Sequence, residues 1–429
     1  MLSIALLLGF IGLGVPIGMA FALGGIVYLT LTGSNSGIMM AQASFGGIDS
    51  FTILSLPFFM FAGDIMRYGG VSKRLVGFAK RCFRSSIAAL GNITVLACAL
   101  FGAVSGSSAA TVSAIGGIMG PEMKRNHYKS DYAAGLISAA GFLGILIPPS
   151  VPAVIYACAA GASVGKLFLA IIGPGLLTTV AFIILNKIMI KKNYDFLAAE
   201  SEEPNDESLE KPFLRALLEA LPAFLMPIII LGGIYSGKFT ATEASAVAIV
   251  YGLFVSLFLY KEISLRDIIP IAKESALTAA KILLIMATAT FFGRIMTLLS
   301  LPQIIAQSIT SFSDNRYVLL VLINIVLLIL GMLMETGAAI LLVTPILYPI
   351  AMAIGIDPVH FGVIMTYNLA VGLITPPMAL NLFVGSQVSG LPVARIVKPV
   401  LPFLVVAMGV LLLVSLWPGL SMFLPNILY

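Results

Sequence analysis

The strongest constraint in this sequence is a series of apolar segments long enough to cross a lipid bilayer as helices, which need about 18 or more apolar residues each. The segments lie at 3–31, 50–66, 86–121, 132–160, 167–190, 214–235, 243–260, 275–299, 317–353, 359–388 and 400–424. Of the 429 residues, 59% are hydrophobic and only 10% are charged. That is too little charge to cover a soluble protein of this length. The sequence therefore predicts an all-α polytopic membrane protein.

Two of the segments are too long for one span, and the positions of basic residues indicate how the first of them folds. Basic residues gather on both sides of segment 86–121, as Arg67, Lys73, Arg74, Lys80, Arg81 and Arg84 before it, and as Lys124, Arg125 and Lys129 after it. Lys and Arg favour cytoplasmic loops, so both groups belong on the same side of the membrane. The segment is interrupted by the small residues 102–108. We expect a re-entrant hairpin that enters from the cytoplasm and turns at this interruption.

The same rule, carried along the chain, gives the second long segment the opposite orientation. Segment 317–353 breaks at 331–337 and would enter from the periplasmic side. The amino terminus is then expected in the cytoplasm and the carboxyl terminus in the periplasm. All strongly basic loops fall on the cytoplasmic side in this arrangement.

Each long segment is followed by one that contains a glycine and a Pro-Pro pair, at 144–150 and at 372–378. Ser107 precedes Pro148 by 41 positions, and Glu335 precedes Pro376 by the same 41. Two such units of opposite orientation form the inverted-repeat pattern in which ions and substrate bind near the midplane at discontinuous helices. A Pro-kinked helix occurs without a ligand as well. The repetition of the whole unit favours the functional interpretation.

The predicted domain organisation follows from these units. Residues 1–192 form the first repeat, with scaffold helices within 1–66, hairpin 86–121, broken helix 132–160 and helix 167–190. Residues 193–213, rich in acidic side chains, form a cytoplasmic polar linker. Residues 214–429 form an extra helix and the second repeat, with hairpin 317–353, broken helix 359–388 and last helix 400–424.

The chemistry of the breaks favours sodium. Proline lacks an amide hydrogen, so a Pro-Pro pair leaves backbone carbonyls without helical partners. Such carbonyls are costly in a membrane unless protein, water or an ion satisfies them. Together with Ser and Thr hydroxyls they offer the oxygen ligands that a hard cation prefers, while helix amino termini offer amide donors to an anion.

Several stretches resemble the large membrane subunit of tripartite ATP-independent periplasmic (TRAP) transporters over nearly the whole chain. They are Ser105–Ala110, Ala140–Ser150, Gly165–Phe168, Thr240–Ala244 and Asn368–Met378. The sequence departs from the family pattern at Ala241 and at Met378–Ala379 without losing a predicted ligand oxygen. The resemblance implies an elevator-type secondary transporter, similar to the ion-transporter superfamily and driven by a sodium gradient in a bacterial inner membrane. It also implies two protein partners, a small four-helix membrane subunit and a periplasmic substrate-binding protein.

Two sodium sites are predicted, one at each hairpin. The first comprises Ser105, Ser107 and Ser108 with backbone oxygens near Gly144 and Pro148. The second comprises Thr336 and Thr375 with backbone around Gly331, Gly337 and Gly372. Alternatively, these hydroxyls only bond the preceding helical turn.

The expected substrate is a carboxylated small molecule, with Ser108, Arg294, Glu335 and Thr336 as candidate binding residues. Arg294 lies late in an apolar span, where a charge marks a functional site or extends to the membrane surface. Glu243 is expected to cap its helix, and both histidines, His127 and His360, are expected in loops.

Sialic acid is the favoured substrate and a C4-dicarboxylate the alternative. A more distant alternative is a stand-alone sodium/proton antiporter or anion transporter, but a proton relay needs titratable groups that both breaks lack. An intramembrane serine hydrolase at Ser105–Ser107 would need a nearby general base. We expect no enzymatic activity and no nucleic-acid partner.

Overall fold

The computed structural model describes residues 2–31, 37–83, 86–194, 213–300, 304 and 315–428. Its elements are helices, and Tyr128 and Tyr194 form an isolated β-bridge. In chain order the helices are α1 (Leu2–Gly12), α2 (Ile17–Leu31), α3 (Gly37–Gly46), α4 (Ser55–Tyr68), α5 (Val71–Cys82), α6 (Ala89–Ser105), α7 (Ser108–Arg125), α8 (Ser130–Ala140), α9 (Val151–Ala160), α10 (Val164–Asn193), α11 (Phe213–Tyr235), α12 (Ala241–Phe254), α13 (Leu265–Leu298), α14 (Arg316–Leu333), α15 (Thr336–Ala353), α16 (Pro358–Gly372), α17 (Leu380–Ser389), α18 (Val393–Leu416) and α19 (Pro418–Leu428).

The membrane-spanning character is confirmed. Within the described residues, seven helices are long and apolar enough to cross a bilayer, namely α10, α11, α12 with its π-helical continuation Val255–Leu259, α13, α14, α15 and α18. Helix α3 and the segment Phe51–Tyr68, which meet at a bend of 58°, form an eighth span if they are counted together. The shorter helices pair with one another to build hairpins and broken spans.

The amino-terminal segment differs from the single helix expected over 3–31. A turn between Gly12 and Ile17 separates α1 from α2. Gly14 adopts a φ of +80°, which favours glycine, and Pro16 follows it. The two helices pack together, since a Cβ on Gly24 would lie 3.5 Å from the Leu7 backbone. The chain therefore begins with a short helical hairpin, whose arms are each too short to span a bilayer.

Both predicted hairpins are present. In the first, α6 ends at Ser105 and α7 begins at Ser108 after Gly106 with φ +60°. In the second, α14 ends at Leu333 and α15 begins at Thr336. The turns lie where glycine and hydroxyl residues interrupt the apolar segments.

Both predicted broken helices are present as well. The first consists of α8, a 3-10 turn over Gly141–Ile145, the Pro148–Pro149 pair and α9. The second consists of α16, the stretch 373–379 with the Pro376–Pro377 pair, and α17. Both Pro-Pro bonds are cis. The fold is thus an all-α membrane protein with two hairpin-and-broken-helix units.

The two units interlock. Helix α7 of the first hairpin packs against α17 of the second broken helix, and α15 of the second hairpin packs against α9 of the first. Helix α4 packs mainly against α12 and α13, with smaller contacts to α6 and α9, and α13 also packs against α2. The hairpins and broken helices therefore form one body, flanked by a second group of helices.

Two further expectations are modified by the structure, and a third lies almost wholly outside the described residues. Most of the basic stretch before the first hairpin is helix α5 rather than a loop, and its Arg74 forms an ion pair with Glu262 at 2.7 Å. The last predicted helix ends at Leu416, and the separate helix α19 follows the exposed Trp417. The polar linker at 193–213 falls almost wholly outside the described residues.

Candidate functional site

The tip of the first hairpin is a cluster of hydroxyl groups. Ser107 caps α7, with its Oγ accepting from the Ala110 amide at 3.4 Å. Thr111 Oγ1 donates to the Ser107 carbonyl at 2.7 Å and lies 3.3 Å from Ser105 Oγ. Ser105 and Ser108 are buried. Three of the predicted ligand residues, Ser105, Ser107 and Ser108, therefore meet at one turn.

This tip packs directly on the first break, backbone against backbone. A Cβ on Gly102 would lie 2.7 Å from the Gly144 Cα, and one on Gly144 would lie 2.7 Å from the Ser107 carbonyl oxygen. Such distances leave no room for a side chain at either position. Gly144, and the break that holds Pro148 and Pro149, are thus placed beside the serine cluster as predicted from the sequence.

Ser150 ends the first break and caps α9. Its Oγ accepts from the Ala153 amide at 3.5 Å and donates to the Ile145 carbonyl at 2.7 Å. The side chain is 1% exposed. One of the carbonyls left without a helical partner by the break is thereby satisfied by the protein itself.

The second tip has the same construction with different side chains. Glu335 occupies the position of Ser107 and caps α15 by accepting from the Ala338 amide at 3.1 Å. Thr336 is 2% exposed, and its Oγ1 has no hydrogen-bond partner among the described residues. A buried hydroxyl without a partner is costly. Thr336 therefore presents an oxygen that a bound cation would satisfy.

The second tip also packs on its break through glycine. A Cβ on Gly372 would lie 2.4 Å from the Gly331 carbonyl carbon, and one on Gly337 would lie 2.8 Å from Ile155 in α9. Thr375 Oγ1 donates to the Val371 carbonyl at 2.8 Å, as in the alternative in which the hydroxyl bonds its own helical turn. Its oxygen keeps lone pairs that can bind a cation.

The two charged candidates for substrate binding are exposed. Glu335 lies at the second tip, and Arg294 lies in the last part of α13. Gly293, beside Arg294, approaches Pro345 of α15, where a Cβ would lie 3.9 Å from the proline ring. Helix α13 thus faces the second hairpin, but the structure places no contact between Arg294 and the tip residues it describes.

Sequence reasoning missed Asn381, which lies in the first turn of α17 and is fully buried. Its Oδ1 accepts from Ser108 Oγ at 2.8 Å, and its Nδ2 donates to the Ser138 carbonyl at 3.1 Å. The available signal was an amide side chain in an apolar segment just after a Pro-Pro pair. Thr111 was missed as well.

Two minor expectations have opposite outcomes. Glu243 does cap α12, because its carboxylate accepts from the Thr240 amide at 2.8 Å while Thr240 Oγ1 accepts from the Glu243 amide at 3.2 Å. The expectation that His360 lies in a loop is wrong. It is buried in the first turn of α16, with Nε2 2.8 Å from the Val414 carbonyl oxygen, so its ring is engaged with α18.

Two units, each with a re-entrant hairpin seated on a broken helix and rich in uncharged oxygens, define the class of protein as a membrane transporter of the discontinuous-helix type. Residues 4–420 match the family described as "Tripartite ATP-independent periplasmic transporter, DctM component". The chain belongs to this family. It is a TRAP transporter large permease in the inner membrane, a transport protein rather than an enzyme, so the hydrolase alternative is set aside.

Curated relatives agree with this membership. The chain is 40% identical to the sialic acid TRAP transporter large permease protein SiaM of Vibrio cholerae, over 98% of this chain and 97% of that protein. It is 42% identical to the C4-dicarboxylate TRAP transporter large permease protein DctM of Pseudomonas aeruginosa, over 95% of this chain and 94% of that one. It is 40% identical to the isethionate TRAP transporter permease protein DctMQ of Oleidesulfovibrio alaskensis, covering 96% of this chain but only 64% of that longer protein.

A solved structure shares the fold. The crystal structure of the Alcanivorax borkumensis YdaH transporter, described as having an unusual topology, aligns with a TM-score of 0.65 over 88% of this chain and 87% of that one. The two sequences are 16% identical. The likeness supports the fold and carries no information on substrate.

Proposed function

We propose that this permease takes up a small organic-acid anion by sodium-coupled secondary transport with an elevator motion. The single observation that carries the proposal is the pair of oxygen-rich hairpin tips, each seated backbone to backbone on a Pro-Pro break. The tips supply hydroxyl and carbonyl oxygens, and both Pro-Pro breaks lack Asp, Glu and His, which suits a sodium ion better than a proton relay. Coupling arises when the bound ion stabilises the tip geometry that the substrate also needs.

The first proposed sodium site uses Ser105, Ser107 and Ser108 with backbone oxygens around Gly144 and Pro148. The second uses Thr336 and Thr375 with backbone oxygens around Gly331, Gly337 and Gly372. Support for the second site comes from the partnerless, buried Thr336 hydroxyl. The anion would bind between the tips, near Ser108 and Thr336, with Arg294 and Glu335 shaping access to the cavity.

Sialic acid is the proposed substrate and a C4-dicarboxylate the second candidate. SiaM, with 40% identity, supports the first, and DctM, with 42%, supports the second. Isethionate, which appears in the name of DctMQ, carries a sulfonate in place of the carboxylate, so it serves as a third test anion.

The proposed assembly includes a small four-helix membrane subunit and a periplasmic substrate-binding protein. The orientation follows the basic residues, with helix α5 at the cytoplasmic surface, the amino terminus in the cytoplasm and the carboxyl terminus in the periplasm. Helix α5 carries Lys73, Arg74, Lys80 and Arg81, the type of residue that favours cytoplasmic placement, and Arg74 and Lys80 form ion pairs with Glu262 and Glu122.

The test is uptake of labelled anion into proteoliposomes that contain the permease and small subunit, with the binding protein added outside. Sialic acid, succinate and isethionate are each supplied with the binding protein encoded beside the permease, under an inward sodium gradient or a matched potassium gradient. We expect sodium-dependent uptake of one anion that stops when the binding protein is omitted.

Each arm addresses one part of the proposal. Uptake that is equal in sodium and potassium refutes sodium coupling. Uptake that proceeds without the binding protein refutes the tripartite assembly. Uptake of succinate or isethionate with rejection of sialic acid replaces the substrate and leaves the mechanism in place.

A further inference from the structure

Asn381 joins three parts of the transport body that are far apart in sequence. Its backbone amide donates to the Leu373 carbonyl at 3.0 Å, across the second break. Its side chain reaches the first repeat, where Nδ2 donates to the Ser138 carbonyl at 3.1 Å and Oδ1 accepts from Ser108 Oγ at 2.8 Å. Asn381 and Ser138 are both fully buried, and Ser108 is 4% exposed.

These bonds restrict how the Ser108 hydroxyl is oriented, and the shorter of its two contacts is the one to Asn381 Oδ1, at 2.8 Å. The Ser138 carbonyl can only accept, so the Asn381 amide must present Nδ2 to it and Oδ1 to Ser108. Ser108 must then donate its single hydrogen to Oδ1 or to its other neighbour, the Gly141 carbonyl at 3.1 Å. Both neighbours are acceptors, so the lone pairs of Ser108 Oγ are left free for a cation.

The second repeat lacks this arrangement. In the register that matches Ser107 with Glu335 and Pro148 with Pro376, Ser108 corresponds to Thr336 and Asn381 corresponds to Ala153. Alanine offers no polar side chain, and Thr336 Oγ1 has no partner among the described residues. One tip hydroxyl is therefore held in orientation by the opposite repeat, and the other is not.

We propose that Asn381 is a positioning residue that orients Ser108 for the first sodium site and couples occupancy of that site to the second break. The proposal rests on the proposed sodium function. An ion that draws Ser108 towards it pulls on Asn381, and Asn381 is bonded to Leu373 at the start of the second break. The two sites then bind sodium cooperatively through one buried side chain.

The test is the sodium titration of uptake by Asn381→Ala in the reconstituted tripartite system. Loss of the orienting bond should raise the half-saturating sodium concentration about fivefold to tenfold. It should also bring the Hill coefficient towards one, while the maximal rate at saturating sodium is retained. Asn381→Ala added to Ser108→Ala should have no further effect on the sodium titration, because both variants remove the same contact.

Asn186→Ala is the matched control. Asn186 is also fully buried, and its side chain bonds Tyr132, Asn92 and the Ala88 carbonyl, all within the first repeat. Its loss should lower thermal stability without changing the sodium titration. An Asn381→Ala titration that matches that of Asn186→Ala, or effects of Asn381→Ala and Ser108→Ala that simply add, overturns the proposal.

Amide hydrogen exchange without sodium separates this proposal from the proposed function. Wild-type uptake that ignores sodium refutes sodium coupling and, with it, the role of Asn381 in orienting a sodium ligand. Hydrogen exchange then tests separately whether the bond between Asn381 and Ser108 links the two repeats. Ser108→Ala should accelerate exchange in α17, in the opposite repeat, and Asn381→Ala should accelerate it in the first turn of α7. Acceleration confined to the substituted repeat refutes the link.

Discussion

Gly372→Ala should separate the second hairpin from its broken helix, because the new methyl group meets backbone rather than a side chain that can move aside. The Cβ would lie 2.4 Å from the Gly331 carbonyl carbon and 2.5 Å from its Cα. Ordinary carbon contacts are about 3.5–4.0 Å, so α14 and α16 must part by about 1 Å. Overpacking of this kind costs about 1–3 kcal/mol, which lowers the population of the seated hairpin about 5- to 150-fold.

The assay is thermal unfolding of the purified permease together with its sodium titration of uptake. Gly372→Ala should unfold at a lower temperature and need more sodium for half-maximal uptake. Gly409→Ala is the matched control, because Gly409 lies in α18, where an added Cβ would meet nothing within 4 Å. Alanine is favoured over glycine in a helix by about 1 kcal/mol, so the control should be neutral or stabilised. Equal unfolding temperatures and sodium titrations for the two variants would refute the close-contact argument.

Three further predictions follow from other contacts. Ser107→Ala and Thr336→Ala should each raise the half-saturating sodium concentration by about tenfold, since each removes a proposed oxygen ligand of a charged ion. The control is Ser113→Ala, at an exposed position. Sodium titrations of both variants that match the control would remove these ligand assignments. Ser150→Ala should lower stability by about 1 kcal/mol or more, because it removes the cap of α9 and the donor to the Ile145 carbonyl. Ser163→Ala, at the exposed cap of α10, is the control and should lower the unfolding temperature less. A larger decrease for Ser163→Ala than for Ser150→Ala would contradict the argument. Hydrogen bonds from Arg74 and then Lys73 lower the pKa of Glu262 in the loop before α13. The contribution of Glu262 to stability is therefore present above the unfolded-state pKa of about 4.3 and is lost as pH falls through the lowered folded-state pKa. Glu262→Gln should flatten the loss of thermal stability between about pH 5 and pH 3, and a loss as steep as in the wild type would contradict this.

The hairpins and breaks were predictable because their residues act locally. Gly106 turns the first tip with φ +60°, and a Pro-Pro pair ends helical hydrogen bonding wherever it occurs. Equal spacing of Ser107 to Pro148 and of Glu335 to Pro376 then aligned the two units, and both Ser107 and Glu335 prove to be helix caps. Turns, helix breaks and helix caps are set by individual residues, so a single sequence predicts them most directly.

The parts that were missed are of two kinds: the local secondary structure at the first turn and in α5, and contacts that depend on which helices come together. An apolar segment does not say where a tight turn divides it, although Gly14 and Pro16 were a signal for the one between α1 and α2. The positions of basic residues predict on which side of the membrane a segment lies but not its secondary structure, so the sequence predicted a loop where α5 forms. His360 and Asn381 are bonded to partners that only the packing of distant helices supplies, at Val414 and at Ser108.

The glycine contacts divide the interfaces of the molecule into two kinds. Gly102 meets Gly144 and Gly331 meets Gly372 within the two units, so each hairpin is fixed to its own broken helix by backbone contacts that tolerate little displacement. Gly63 of α4 makes a similarly close contact at the second kind of interface, between a unit and the helices outside it, since a Cβ there would lie 2.9 Å from the Ser105 carbonyl oxygen at the first tip.

Helix α4 belongs with α12 and α13 outside the units. In the proposed elevator motion the contacts within the units persist, whereas the first tip must move past α4. Because position 63 is a glycine, α4 presents no side chain there that would obstruct the movement of Ser105. The proposed motion requires units that are closely packed internally and a contact with α4 that is free of side chains. The glycine contacts within the units and Gly63 at their edge meet these two requirements.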